Sequence, residues 1–290
     1  MNQQQLGLFL GLIGVVIFSG TVPATRLAVS ELDPWFVTFA RAAIAGSIAA
    51  MILLATRRTL PKAFWKFSTL SSLCLVIGFP GFLSLALLTV PASHSGVVLG
   101  LLPITTAIFS VLFADERPSI SFWIWSTLGA LLIIVFTLRD GAPGFEIGDL
   151  WLVAATLSAS FGYVFSGKIS RQKPGWEVIC WQLIIAAPFI IAGTLWFWDD
   201  AIFTARPSTQ LGFAYVSLFS MLIGFFAWNA GLALGGIARV GQLQLLQTFF
   251  TLAIAAVVLE ETISSETLFF ATAIVVVIWY ARKARVSTSS

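Results

Sequence analysis

Gln244, Gln247, Thr248 and Thr251 share one face of an otherwise apolar stretch if residues 236–259 are helical. Amides and hydroxyls there do hydrogen-bonding chemistry rather than bond-breaking chemistry. Burying an unpaired amide costs about 2–7 kcal/mol. Such a face therefore either lines a wet cavity and meets a solute, or bonds neighbouring helices. Arg41 is the one charged side chain inside an apolar run. It must pair, reach an interface or face water. It could attract a carboxylate; a structural bond to carbonyls or to acids near Glu31 is the other reading. His94 is the only histidine and the group expected to titrate near neutral pH. It is a pH-sensitive gate, a solute contact or a satisfied polar residue at a helix start. Tyr163, Gln182, Trp228 and Asn229 place further polar atoms in apolar runs, where lining a cavity and packing between helices both remain open. Gly100 and Pro103 lie on one face of the stretch 94–119, which suits close approach and a bend. Pro23, Pro80 and Pro188 also fall in apolar runs.

These residues exclude several chemistries. One histidine without an embedded acid assembles neither a catalytic triad nor a metal site. No cofactor is implied. Cys74 and Cys180 sit in apolar runs and read as packing.

The elements that position these residues follow from composition. Of 290 residues, 58% are hydrophobic and 10% are charged, against about 25% charged in soluble domains. The solvent of such a chain is lipid. A spanning helix needs about 20 apolar residues, and ten fit, at 6–28, 35–56, 67–89, 92–114, 119–138, 148–167, 176–198, 209–231, 236–259 and 265–281. No period-two alternation marks a barrel. The start, MNQQQ, lacks a basic region, so the first span is expected to be retained.

Basic residues sort by side. Twelve of the sixteen fall on the side of the N-terminus and three opposite, with Arg41 inside a span. By the positive-inside rule both termini are cytoplasmic. The charge of +3 gathers at membrane edges and implies no nucleic acid. No carboxylate falls in the middle of a span, which counts against a proton relay or a cation site.

The halves repeat. Pro34-Trp35 through Arg41 returns as Gly175-Trp176 through Gln182, and Gly96 through Glu116-Arg117 returns as Val240 through Glu261-Thr262. Five spans per half is an odd number, so the second half is inverted. Inverted repeats are the architecture of secondary transporters, with the substrate near the midplane. The sequence thus predicts an all-α membrane protein of ten transmembrane helices in two inverted five-helix repeats, 6–138 and 148–282, with a cytoplasmic tail at 283–290.

The chain resembles the drug/metabolite transporter superfamily in its ten-helix form built from two EamA-type repeats. The resemblance rests on Arg26 and Lys168 ending the first helix of each half, Arg41 and Gln182 in the second helices, and Pro103 thirteen residues before Glu116-Arg117. The tryptophan-glycine usual in the first helix is absent from both halves. Ala227-Trp228-Asn229 makes the chain look most like the YddG-type aromatic amino-acid exporters. The resemblance implies an exporter in the bacterial inner membrane for aromatic and other neutral amino acids and similar small metabolites. Drugs, nucleotide sugars or sugar phosphates are alternative cargoes, and a membrane scaffold is an alternative role. Uniport is the first expectation for coupling, and proton exchange through His94 the second. The residues set no oligomeric state, and a monomer is compatible with them.

Overall fold

In a computed structural model, which describes residues 2–59, 62–90, 95, 98–138, 147–259 and 265–288, ten helical rods follow one another along the chain. They are α1 (Gln3–Ala28), α2 (Pro34–Thr56), α3 (Lys62–Thr89), α4 (Leu102–Phe113) and α5 (Ile120–Leu138) in the first half. The second half holds α6 (Ile147–Ser170), α7 (Gly175–Trp196) and α8 (Pro207–Gly235). Rod α9 runs through Ile237–Gly241, a 3-10 turn Gln242–Leu246 and Gln247–Leu259, and α10 is Ser265–Lys283. Six of these, α1, α2, α3, α6, α7 and α8, are long and apolar enough to cross a membrane, and α4, α5 and α10 contain shorter apolar helices. His94 and Glu261 lie outside the described residues.

Local chemistry sets the ends. Asn2 Oδ1 accepts from the Gln5 backbone N–H at 2.8 Å while Gln5 Oε1 accepts from the Asn2 N–H at 3.1 Å. This reciprocal pair satisfies two amides that a helix start leaves free. Asp33 caps α2 by accepting from Trp35 and Phe36, with Pro34 in the first turn where no N–H is needed. Rod α1 breaks at Gly20. Pro23 has no N–H to offer the Ser19 carbonyl, and Thr251 Oγ1 of α9 donates to that carbonyl at 2.8 Å instead. Rods α3 and α8 each contain a π-helical stretch, Leu73–Gly78 and Val216–Ile223.

Packing follows a pattern. Rod α1 packs on α8, and α6 packs on α3. Rod α4 meets α6, and α9 meets α1; α3 meets α7, and α8 meets α2. Contacts α2–α7, α4–α9 and α5–α10 join the halves directly. Exchanging α1–α5 for α6–α10 maps each of these contacts onto another of them or onto itself. The α1–α8 crossing is backbone on backbone. A Cβ on Gly7 would sit 2.3 Å from the Gly235 nitrogen, and one on Gly231 would sit 2.7 Å from the Gly11 nitrogen. Small residues permit the close approach that helix association in lipid requires.

The surface is inverted relative to a soluble protein. Leu54 is 78% exposed, Ile120 77% and Leu211 70%. Meanwhile Arg41, Glu116, Glu177, Gln182 and Asn229 are buried. Lipid covers the first group at no cost, whereas the second needs partners inside. This is a multi-pass membrane protein.

Ion pairs tie the first half to the second at both ends. At the end where α1 begins, Glu116 is buried and accepts from the Ile237 and Ala238 backbone N–H groups, each at 2.8 Å. Arg171 donates to the same carboxylate at 2.7 Å. Glu116 is therefore more than a helix end: it caps α9, in the other half of the chain, and its negative charge complements that helix N-terminus. Nor is the tail loose, because strand β1 (Glu116–Pro118) pairs antiparallel with β2 (Val286–Thr288). At the opposite end Glu31 accepts from the Arg206 backbone N–H, the Thr209 hydroxyl and the Arg206 guanidinium. Glu31 is thus engaged by Arg206, and Arg41 is not bonded to it.

Two predictions follow from these ties. Glu116→Ala leaves two amides and Arg171 without their acceptor, and a lost cap costs about 1–2 kcal/mol. Thermal unfolding in detergent will show a lower Tm than wild type, and an unchanged Tm would refute the cap. The donors around Glu31, led by the Arg206 N–H and then the Thr209 hydroxyl, hold its carboxyl below the ordinary 4.5. A depressed folded value gives stability that is present above the unfolded pKa and lost as pH falls through the folded one. The Tm advantage of wild type over Glu31→Gln will therefore be full at pH 7 and shrink below about pH 4.5; an advantage independent of pH contradicts this.

Candidate functional site

Two buried polar clusters occupy corresponding places in the halves. In one, Arg41 of α2 donates from Nη2 to Ser220 Oγ of α8 at 3.0 Å, and Ser220 Oγ lies 2.9 Å from Thr21 Oγ1 of α1. In the other, Gln182 of α7 donates from Nε2 to Ser71 Oγ of α3 at 2.9 Å and to Ser166 Oγ of α6 at 2.7 Å. The Ser71 and Ser166 hydroxyls lie 2.8 Å apart. Each cluster joins the second helix of one half to the third helix of the other and the first helix of its own. Hydroxyls here bond across helices, whereas most helix hydroxyls fold back on their own chain, as Ser19 does on the Val15 carbonyl.

The clusters differ in electrostatics. The Gln182 amide uses its N–H groups on the two serines, and its backbone carbonyl accepts from Ser72 at 2.5 Å. Arg41 is 1% exposed, yet its Nε and Nη1 have no hydrogen-bond partner. A guanidinium presents five donors and stays charged.

Beside Arg41 lies an internal cavity lined by Phe18, Thr21 and Val22 of α1, Leu75, Phe79 and Pro80 of α3, and Leu99 and Leu102 at the start of α4. Tyr163 of α6, Ser220, Met221 and Phe225 of α8 and Gln247 of α9 complete it. Both π-helical stretches contribute, through Leu75 and through Ser220 and Met221. Such segments frequently mark functional sites. No lining residue is an acid. The space is narrow in this conformation, fit for water rather than for a larger solute.

Of the residues singled out in the sequence, Arg41, Pro80, Tyr163 and Gln247 come together on this cavity. Gln247 also donates to the Phe18 carbonyl at 3.5 Å. The others are placed elsewhere. Trp228 is fully buried against Tyr163, ring centroids 5.3 Å apart, and against Phe18 at 6.0 Å. Asn229 donates to the Gly175 carbonyl at 3.2 Å and ties α8 to the start of α7. Thr251 bonds the kink in α1. Gln244 is buried beside the Tyr163 hydroxyl, off the cavity wall. Gln182 sits in the second cluster, and Gly100 and Pro103 are buried where α4 begins. His94 lies outside the described residues. Thr21, Ser220 and the aromatic walls Phe18, Phe79 and Phe225 were not foreseen. The repeat register, which aligns Arg41 with Gln182, was the signal available for them.

The EamA-like transporter family model matches residues 5–138 and again 146–281, nearly the whole of both halves. The chain belongs to the EamA-like transporter family. It is 46% identical to the uncharacterized transporter YdeK of Bacillus subtilis over 264 residues, 91% of this chain and 92% of that one. It is 26% identical to a probable amino-acid metabolite efflux pump of Salmonella typhimurium over 170 residues, 55% of this chain and 56% of that one. A crystal structure of a protein with 20% identity superposes with a TM-score of 0.76 across 96% of this chain and 98% of the other. At that identity the likeness shows the fold alone. This EamA-like protein therefore serves membrane transport.

The second cluster gives a prediction for this EamA-like chain. Gln182→Met keeps volume but leaves Ser71 and Ser166 without their donor, at about 1–3 kcal/mol. Detergent Tm will fall, while the apparent KM of any transported solute stays at the wild-type value because Gln182 is off the cavity. A raised KM at unchanged Tm contradicts this placement.

Proposed function

We propose that this chain is a secondary transporter that exports amino acids, aromatic and other neutral ones, and similar small metabolites by alternating access between two inverted five-helix repeats. The observation that carries the reading is the internal cavity where both halves meet, with Leu102 of α4 and Gln247 of α9 on its wall. Inverted-repeat transporters hold substrate at that interface. The exchange pattern of helix contacts, the paired π-helical stretches and the paired polar clusters all support two related halves. Hydroxyls of Thr21, Ser220 and Tyr163, the Gln247 amide and three phenylalanines suit a polar headgroup carrying an apolar side chain. The relative named as a probable amino-acid metabolite efflux pump points the same way. A wall without an acid disfavours cationic drugs.

In this reading both termini face the cytoplasm of a bacterium, the Glu116–Arg171 tie closes the cytoplasmic side, and the Glu31–Arg206 tie closes the outer side. Opening to one side requires its tie to part while the other holds.

Purified protein in liposomes loaded with one amino acid will take up labelled amino acid by counterflow, with aromatic and other neutral ones the best. Absence of flux across a full amino-acid panel would overturn the assignment.

A further inference from the structure

We infer that Arg41 is the anchor for a carboxylate of the solute, which makes a carboxylate the required group of the cargo. This deepens the proposed transport reading and rests on the same cavity.

Three observations converge. First, Arg41 is 1% exposed, lines the cavity, and has Nε and Nη1 unpartnered. Its one side-chain bond, Nη2 to Ser220, uses one of the five donors of the guanidinium. Second, no acid neutralises it among the described residues: it is in no ion pair, and the cavity wall holds none. Asp33, the acid nearest in sequence, accepts from the Trp35 and Phe36 backbone N–H groups, and Glu31 is held by Arg206 and Thr209. A buried charge without a counter-charge is strongly unfavourable, so an anion admitted when the cavity widens meets a cation that nothing else compensates. Third, the second half supplies an internal control. The same three-helix arrangement is held together there by neutral Gln182, whose N–H groups are both used. Joining helices at this place does not need a charge. The charge in the first half therefore has another task.

The geometry identifies the class. Arginine presents parallel donors in two pairs, Nε with Nη2 and Nη1 with Nη2, and because Nη2 keeps a second N–H beside its bond to Ser220, one pair remains to match the two oxygens of a carboxylate. The Thr21 and Ser220 hydroxyls sit alongside, while Phe18, Phe79 and Phe225 receive an apolar group. Phosphate oxygens can also take such a fork, but the three phenylalanines on the wall suit a carboxylate that carries an apolar group.

The test uses the full-length protein in two formats. Phenylalanine, 3-phenylpropionate, phenylalaninamide and phenethylamine are compared as competitors of counterflow in liposomes, and as ligands that raise Tm in detergent. We expect the two carboxylates to compete and stabilise, and the two compounds lacking a carboxylate to do so at least tenfold more weakly. Arg41→Gln will fold with a Tm at or above wild type, since it relieves a buried charge, and will lose this discrimination. Arg41→Lys will recover part of it. Amides that act as well as acids, or an Arg41→Gln protein that still prefers acids, would overturn the anchor while leaving transport intact. Carboxylate stabilisation that depends on Arg41 without any flux would instead uphold the anchor and defeat the transport reading.

Discussion

A buried guanidinium that hydrogen-bonds one serine and meets no acid among the described residues is the interaction on which this structure turns. Lipid cannot host it, so the surrounding helices must. Ser220, which bonds it, lies within the π-helical stretch of α8, and Thr21 reaches Ser220 just after α1 breaks at Gly20. Irregular backbone is tolerated at membrane depth only where protein or a cavity receives its freed groups. Both irregularities abut one cavity, and the freed Ser19 carbonyl is taken by Thr251.

The twin cluster around Gln182 shows what the scaffold does without charge. It holds α7, α3 and α6 by hydroxyl and amide bonds alone. The two halves of the protein thus share a frame and differ in chemistry. In one joint the amide N–H groups are both used and only the Gln182 Oε1 is left without a donor; the other is a charged joint with donors to spare. At the ends, Glu116 and Glu31 reach across from the first half to the start of α9 and α8 in the second. The Glu31–Arg206 tie is partly exposed, where an ion pair can be exchanged for hydration, whereas the Glu116 carboxylate is buried against the start of α9.

Much of this was legible in the sequence, for physical reasons. Span positions follow from hydropathy, and the observed rods α2, α5 and α7 begin within a residue of their expected starts. Arg41 stood out because charge inside an apolar run is costly whatever the fold. Thr21 and Ser220 did not, because a hydroxyl in a helix ordinarily satisfies itself on its own backbone, and their contact spans 199 residues. Trp228 and Gln244 were conspicuous by type, but packing places them behind the cavity wall. Glu116-Arg117 was conspicuous as a pair, but its role as a cap depends on amides more than 120 residues away. The pairing of β2 with β1 involves three residues with no alternating pattern to announce it.

The central claim is that two related halves open a shared cavity to each side in turn. With Cys74 and Cys180 replaced, spin labels at the exposed positions Ser30 and Thr204 report one end, and labels at Asp115 and Leu234 report the other. Pulsed electron-electron distance measurements in lipid, with and without transported amino acid, will give reciprocal populations: conformers long at one end are short at the other. Distances that stay fixed at both ends, or lengthen together, would contradict the account.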